Sequence, residues 1–151
     1  MGDKHYSSVD FGIVRDHLKP EKVDKLIHQD VMGLASTEND DISEDRKHLV
    51  KLVDLPSKVL SMTIGGLEPK QSTRRHRHNY ETVLYVLEGH GVSIIEDQEV
   101  IWKAGDAVYV PVWTWHNHVN LSESENALYV ACENAPQLLN LGIALREEEA
   151  E

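Results

Sequence analysis

From about His48 onward the chain alternates short apolar runs with turn residues. Leu49–Leu55 and Lys58–Ile64 are rich in Val, Leu, Ile and Met, are divided by Pro56 and are closed by Gly65-Gly66. Thr82–Leu87, Val92–Ile95, Val100–Trp102, Ala107–Val110 and Leu128–Cys132 continue the series. Runs of this composition bounded by turn residues are strands. Glu96-Asp97-Gln98-Glu99 fits a hairpin tip and Lys103-Ala104-Gly105-Asp106 a second turn. No helical pattern separates the runs, and a parallel sheet needs helical crossovers, so the pattern predicts an all-β, antiparallel sandwich or barrel.

The flanks read differently. The first 45 residues are polar and uneven. Within them Pro20-Glu21 suits a first helical turn and Val23, Leu26 and Ile27 recur at helical spacing, which predicts a short helix over Pro20–Ile27 packed on the outside of the domain. Ser36–Asp41 reads as a solvated acidic loop. At the other end Leu138–Leu141 fits a short helix and Arg146–Glu151 a frayed, solvated tail. The expected organisation is an N-terminal arm with a short helix (1–45), a barrel (46–135) and a C-terminal segment with an acidic tail (136–151). A chain of 151 residues, 40% of them hydrophobic, suits one such domain with a real core.

Charge narrows the partners. Fifteen Lys and Arg stand against 26 Asp and Glu, a net charge of −11, which repels phosphate backbones and anionic membranes. Neither nucleic acid nor a membrane is therefore expected as a partner. Arg74, Arg75 and Arg77 form a local basic cluster, so a small anionic molecule stays open as a ligand. Cys132 is the one cysteine, so no internal disulfide can form. Met1–Tyr6 lacks an apolar leader, and no hydrophobic run nears the ~18 residues of a membrane span, so a cytoplasmic location is expected.

The basic cluster also holds the candidate chemistry. In Arg75-His76-Arg77-His78-Asn79-Tyr80-Glu81, strand alternation puts His76 and His78 on one face, about 6.6 Å apart. Imidazole nitrogen binds a metal at about 2.0–2.1 Å, so both rings can converge on one ion and leave further positions for other ligands. A third ligand can come from Trp113-Thr114-Trp115-His116-Asn117-His118 if that segment folds back over the first.

These residues carry a resemblance to the single-domain, conserved-barrel cupins. Their first motif runs Gly, five residues, His-x-His, three or four residues, Glu, six residues, Gly. Here His76, His78 and Gly89 fall in place, with Lys70 at the first glycine. The second motif runs Gly, five residues, Pro, one residue, Gly, two residues, His, three residues, Asn. Gly105, Pro111, His116 and Asn120 match it, with Trp113 at the inner glycine. The resemblance covers roughly residues 58 to 132 and implies a double-stranded β-helix, or antiparallel jelly-roll barrel, whose metal ligands are His76, His78 and His116. Thr82 stands where the family's glutamate ligand falls, and alternation turns Glu81 to the other face. The implied ligand set is thus three neutral imidazoles, which leave the full dipositive charge on the ion.

Such a set, together with Trp-x-Trp-His-x-His, is similar to the gentisate and salicylate ring-cleaving dioxygenases. The resemblance implies a divalent metal cofactor, Fe(II) foremost, with Mn, Ni, Cu or Zn also compatible with three nitrogens. It implies a role for His118 as acid/base or substrate contact. Tyr80, Thr82 and Leu84 would line the substrate pocket, with Trp115 flanking the third ligand and touching the substrate. The arginine that grips the substrate carboxylate in those enzymes falls at Leu84 here, so the substrate stays open within the class of small aromatic or enolisable molecules with adjacent oxygens. Those enzymes are also two-cupin chains, whereas this one holds a single cupin. Cupins pair through their barrel faces, which implies a homodimer. A metal-dependent isomerase or lyase, and a non-enzymatic small-molecule-binding cupin, are the alternative readings.

Overall fold

The computed structural model describes residues 20–33 and 40–150. In chain order these carry helix α1 (Asp40–Arg46), strands β1 (Leu49–Leu52), β2 (Ser61–Leu67), β3 (His76–His78), β4 (Thr82–Glu88), β5 (His90–Ile95), β6 (Gln98–Lys103), β7 (Ala107–Val110), β8 (His116–Asn120) and β9 (Ala127–Glu133), helix α2 (Ala135–Asn140), and strand β10 (Arg146–Glu148). The strands form two five-stranded antiparallel sheets, ordered β1-β2-β9-β4-β7 and β10-β3-β8-β5-β6. This is the all-β, antiparallel architecture that the apolar runs predict, in the jelly-roll form that the resemblance implies.

Alternation sorts each strand into an inner and an outer side. Along β4, Thr82, Leu84 and Val86 are buried while Val83, Tyr85 and Leu87 are exposed. The inner residues join Leu67, Ile95, Trp102, Val108, Val110, Ala127, Tyr129 and Ala131 in the core. The turns fall where turn residues stand: Ile95 pairs with Gln98 across the Glu96-Asp97 tip, and the Asp106 carboxylate accepts the Lys103 amide at 2.9 Å. Asn120, fully buried, closes the barrel end. Its side-chain amide donates to the carbonyls of Leu67, Glu68 and Glu125, and its Oδ1 accepts from the Ser122 amide. It joins β2 to the loop before β9.

Three expectations are corrected at the flanks. Pro20–Ile27 is not helical. Leu26 and Ile27 are 80% and 64% exposed and only Val23 is partly covered, so among the described residues the helical stripe is left largely unburied. The segment is held instead by charge: Lys25 pairs with Asp54, Glu21 with Lys58, and His28 accepts the Asp54 amide. The helix falls later, at Asp40–Arg46, so the acidic stretch proposed as a loop ends inside α1, while residues 34–39 lie outside the described set. Ser43 Oγ exchanges hydrogen bonds with both backbone groups of Val50, docking α1 on β1. Nor is the C-terminus a frayed tail: β10 pairs with β3, Arg146 opposite His78, Glu147 opposite Arg77 and Glu148 opposite His76. Opposite charges make that pairing favourable, since Arg77 of β3 meets Glu147 at 2.6 Å and Arg74, just before β3, meets Glu148 at 3.0 Å.

Candidate metal centre

β3 and β8 are neighbours, and His76 sits directly opposite His116. His78 follows two residues on along the same face. Each side chain therefore points inward from a strand whose register is fixed by its partners. The ring centroids of His76 and His116 lie 4.3 Å apart, those of His78 and His116 4.9 Å, and those of His76 and His78 5.6 Å. One nitrogen from each ring falls within 4.8 Å of the others. The second segment does fold back over the first.

Hydrogen bonds decide which nitrogen each ring presents. His76 Nδ1 donates to the Arg74 carbonyl at 2.8 Å, His78 Nδ1 to the Tyr80 carbonyl at 2.8 Å, and His116 Nδ1 to the Thr114 carbonyl at 2.9 Å. A carbonyl only accepts, so the proton of each neutral ring sits on Nδ1 and leaves an Nε2 lone pair free. Burial holds the rings neutral. It lowers the pKa of His76 to about 2, with help from the Arg146 charge, and that of His78 to about 4. His116 is lowered as well, by burial first. Three neutral imidazoles with oriented lone pairs, two buried and His76 partly so, are the donor set of a divalent transition metal, and the residues fit such an ion.

His118 has the opposite arrangement. Its Nδ1 lies 2.7 Å from Ser93 Oγ, which also receives the Trp102 Nε1–H at 3.0 Å. Trp102 can only donate, and Ser93 is fully buried, so the hydroxyl's single proton goes to His118 Nδ1. The His118 proton then sits on Nε2. Burial pushes its pKa down to about 3, with smaller contributions from His116, His48 and His78. His118 is thus a neutral donor beside three neutral acceptors.

All four histidines line a cavity of about 470 Å³ within the barrel. That volume suits a small-molecule ligand. Tyr80, Thr82 and Leu84 line it too. The Tyr80 ring stacks on His78, centroids 4.0 Å apart and nearly parallel. Trp115 is placed elsewhere. Its ring and that of Trp113 each lie 4.5 Å from the Arg77 guanidinium, on the opposite side of β3 and β8, because Trp115 precedes an inward-facing residue and alternation turns it out.

Other cavity residues were not legible in the motifs. Glu133, at the end of β9, sits opposite Thr82 and accepts its hydroxyl hydrogen at 3.0 Å. An acid therefore stands beside Thr82, the position where the family glutamate is expected, but on a neighbouring strand and outside the three-histidine cluster. Burial raises its pKa, against the lowering effect of the Thr82 hydrogen bond and of Arg146 and Arg46. Asp45 and Arg46 from α1, Arg146 from β10, and His48, Thr63 and Thr73 add to the polar lining. Only the pairing of distant strands places these residues, and no local spacing announces it.

The barrel and its inward histidines define a class: residues 64–132 match the cupin domain, and that segment of the chain is a cupin domain. Among curated proteins it is similar to the 5-aminosalicylate 1,2-dioxygenase of Comamonas sp, 36% identical over 85 residues, which are 56% of this chain and 22% of that protein. It is also similar to the 1-hydroxy-2-naphthoate 1,2-dioxygenase of Nocardioides sp. strain KP7, 31% identical over 87 residues, 58% of this chain and 22% of that one. The chain spans only that 22% of each relative's length. The salicylate 1,2-dioxygenase structure from Pseudaminobacter salicylatoxidans shares the fold, with a TM-score of 0.66 at 18% identity over 75% of this chain and 35% of that one.

Proposed function

We propose that this protein is a metal-dependent dioxygenase that holds Fe(II) on His76, His78 and His116 and acts on a small aromatic or enolisable substrate with adjacent oxygens. One observation carries the reading: three converging imidazoles share the Nδ1–H tautomer while the fourth, His118, shows the cavity an N–H. The similarity to dioxygenases supports it, and their named substrates, 5-aminosalicylate and 1-hydroxy-2-naphthoate, both set a carboxylate beside a hydroxyl. The −11 charge and single cysteine support a cytoplasmic protein with no nucleic-acid or membrane partner. Among the described residues no helix is long and apolar enough to cross a membrane.

When bound, Fe(II) would supply Lewis acidity toward the substrate oxygens and a path by which electrons from the substrate reach dioxygen. Both oxygen atoms enter the product of a dioxygenase, so no external reductant is required. His118 donates its Nε2–H to a substrate oxygen and orients it. Being buried and neutral, it also stabilises negative charge that develops on that oxygen. Glu133, poised by burial toward its protonated form, holds or releases a proton at its carboxylate. Leu84 and the Tyr80 ring cover the ligand and exclude water.

The same reading includes a homodimer. The outer side of the sheet β1-β2-β9-β4-β7 is apolar: Met62, Val83, Tyr85, Leu87 and Tyr109 are 42–50% exposed, and Val83 sits between Tyr109 and Cys132 across the strands. Covering such a face with a second copy buries it.

The activity is tested by anaerobic reconstitution with Fe(II) and oxygen-electrode measurements over a panel of ortho-hydroxy aromatic acids, catechols and β-diketones. Oxygen uptake with at least one member, stoichiometric with its loss, is expected. Turnover of a panel member that is unaffected by removing oxygen would establish the isomerase or lyase alternative instead.

A further inference from the structure

We propose that Arg146, assisted by Arg46, is the carboxylate-binding group of the cavity, so that the ligand is a small carboxylate held between a guanidinium from β10 and the histidines of β3 and β8. This inference rests on the dioxygenase reading only for the ligand's other end.

The strand that would carry a carboxylate grip places Leu84 there, buried and apolar. Among the described residues that line the cavity, the guanidinium groups are Arg46 and Arg146, from the two flanks of the cupin domain. Strand register aims Arg146 inward. It pairs with His78, and paired residues of neighbouring strands share a face, so Arg146 projects to the side of the metal-site histidines while Glu147 meets Arg77 on the other. Its charge reaches His76, His78 and His116 and helps to keep all three unprotonated.

The two arginines are held ready for an anion. Glu148 accepts Arg46 Nη1 at 3.0 Å and Arg146 Nη2 at 3.1 Å on one oxygen, and Arg74 Nη1 at 3.0 Å on the other. Three guanidinium groups thus share one bridging carboxylate; Asp45 lies 3.9 Å from Arg46 Nε and burial pushes the nearby Glu133 toward its neutral form, so the arginines still outnumber the ionised acids beside them. Each arginine has five N–H donors in a fixed fork, so the bonds to Glu148, with the Tyr80 hydroxyl taking one more from Arg146 and Asp45 facing Arg46, still leave donors free. The Arg46 and Arg146 side chains are 30% and 28% exposed, partly buried at the rim rather than dissolved in solvent. Partly desolvated guanidinium is well suited to bidentate recognition of a carboxylate. A purely structural strut linking β10 to β3 needs no arginine aimed into the cavity, because Arg77–Glu147 and Arg75–Glu149 already pair on the outer side.

The test compares salicylate with salicylamide, its uncharged counterpart, by isothermal titration calorimetry on the full chain loaded with Zn(II), which binds three imidazoles without turnover. Wild type is expected to prefer salicylate, and Arg146→Gln to lose that preference by about tenfold or more, since a charged hydrogen bond is removed while the shared hydroxyl contacts remain. Arg146→Lys restores part of it, and Arg46→Gln gives a smaller loss. Melting temperatures identify any variant that fails to fold, and Arg46→Gln then serves as the second reading. The same titrations on chelator-treated protein separate the two proposals. A preference that falls in Arg146→Gln without metal upholds the arginine role even if no ion binds. Equal affinity of wild type for the two compounds overturns it, as does a preference untouched by both Gln variants, even if the ion binds.

Discussion

A single hydroxyl decides which nitrogen of His118 faces the cavity. Ser93 Oγ takes the Trp102 N–H and spends its own proton on His118 Nδ1, so the outward character of the imidazole is fixed from behind. Ser93→Ala removes that constraint and leaves two buried polar atoms without their partner. We expect kcat to fall by about 10- to 100-fold, as for other residues that orient a site histidine, with metal content unchanged. Steady-state kinetics beside elemental analysis checks this, and equal loss of metal and activity would show a merely structural role. At the same scale, two departures from the motifs become intelligible. Lys70 and Trp113 stand at motif glycines and both adopt φ of 62°, the left-handed region, as Gly89 and Gly105 do at 82° and 94°. The motif asks for a backbone conformation, and Lys70 and Trp113 adopt it despite their side chains. His76, His78, His116 and His118 were legible because alternation within one strand needs no tertiary information. Trp115 follows the same parity, outward beside His116, so its own neighbour already argued against a place in the cavity.

The elements that escaped sequence reasoning are those whose stability is tertiary. Pro20–Ile27 has helical spacing but no surface to cover, while α1 forms where Ser43 can dock on Val50. β10 is only three residues long and wholly charged, with no apolar signal. It becomes a strand because β3 offers an open edge, with Arg77 in the strand and Arg74 and Arg75 just before it to meet its acids. Its charges give a pH dependence. Burial opposes ionisation of Glu148, but hydrogen bonds from Arg74 and Arg146 outweigh it and hold its pKa below the ordinary 4.5. A depressed folded-state pKa means that the contact stabilises fully above that ordinary value and is lost as pH falls through the lower one. Urea unfolding at pH 6 and pH 3 is expected to show a steeper loss of stability in wild type than in Glu148→Gln. Parallel losses would remove Glu148 from the account. Most strands of the barrel were legible because each carries its own apolar run, while β3 and β8, which carry none, were legible from the alternation of their histidines.

At the level of the molecule, the two sheets have different outer surfaces. The β10-β3-β8-β5-β6 sheet carries paired charges and the Arg77–tryptophan stack outside, whereas the other sheet presents Val83, Tyr85 and Tyr109. If that apolar face joins two copies, Tyr85→Glu gives a monomer by light scattering where wild type gives a dimer, and the cavity is unaffected because Tyr85 points away from it. A wild-type monomer would contradict the pairing. The cavity draws on both sheets, on α1 and on β10, so the cupin segment alone leaves its rim incomplete. Everything proposed for it depends on an ion held by three strand-borne imidazoles. The most direct test is elemental analysis after anaerobic Fe(II) loading and desalting of wild type and of His76→Ala, His78→Ala and His116→Ala. One iron per chain in wild type, with loss in each single variant while circular dichroism stays that of a β protein, is the predicted result. Iron retained by all three folded variants, or absent from wild type, would contradict the metal centre itself.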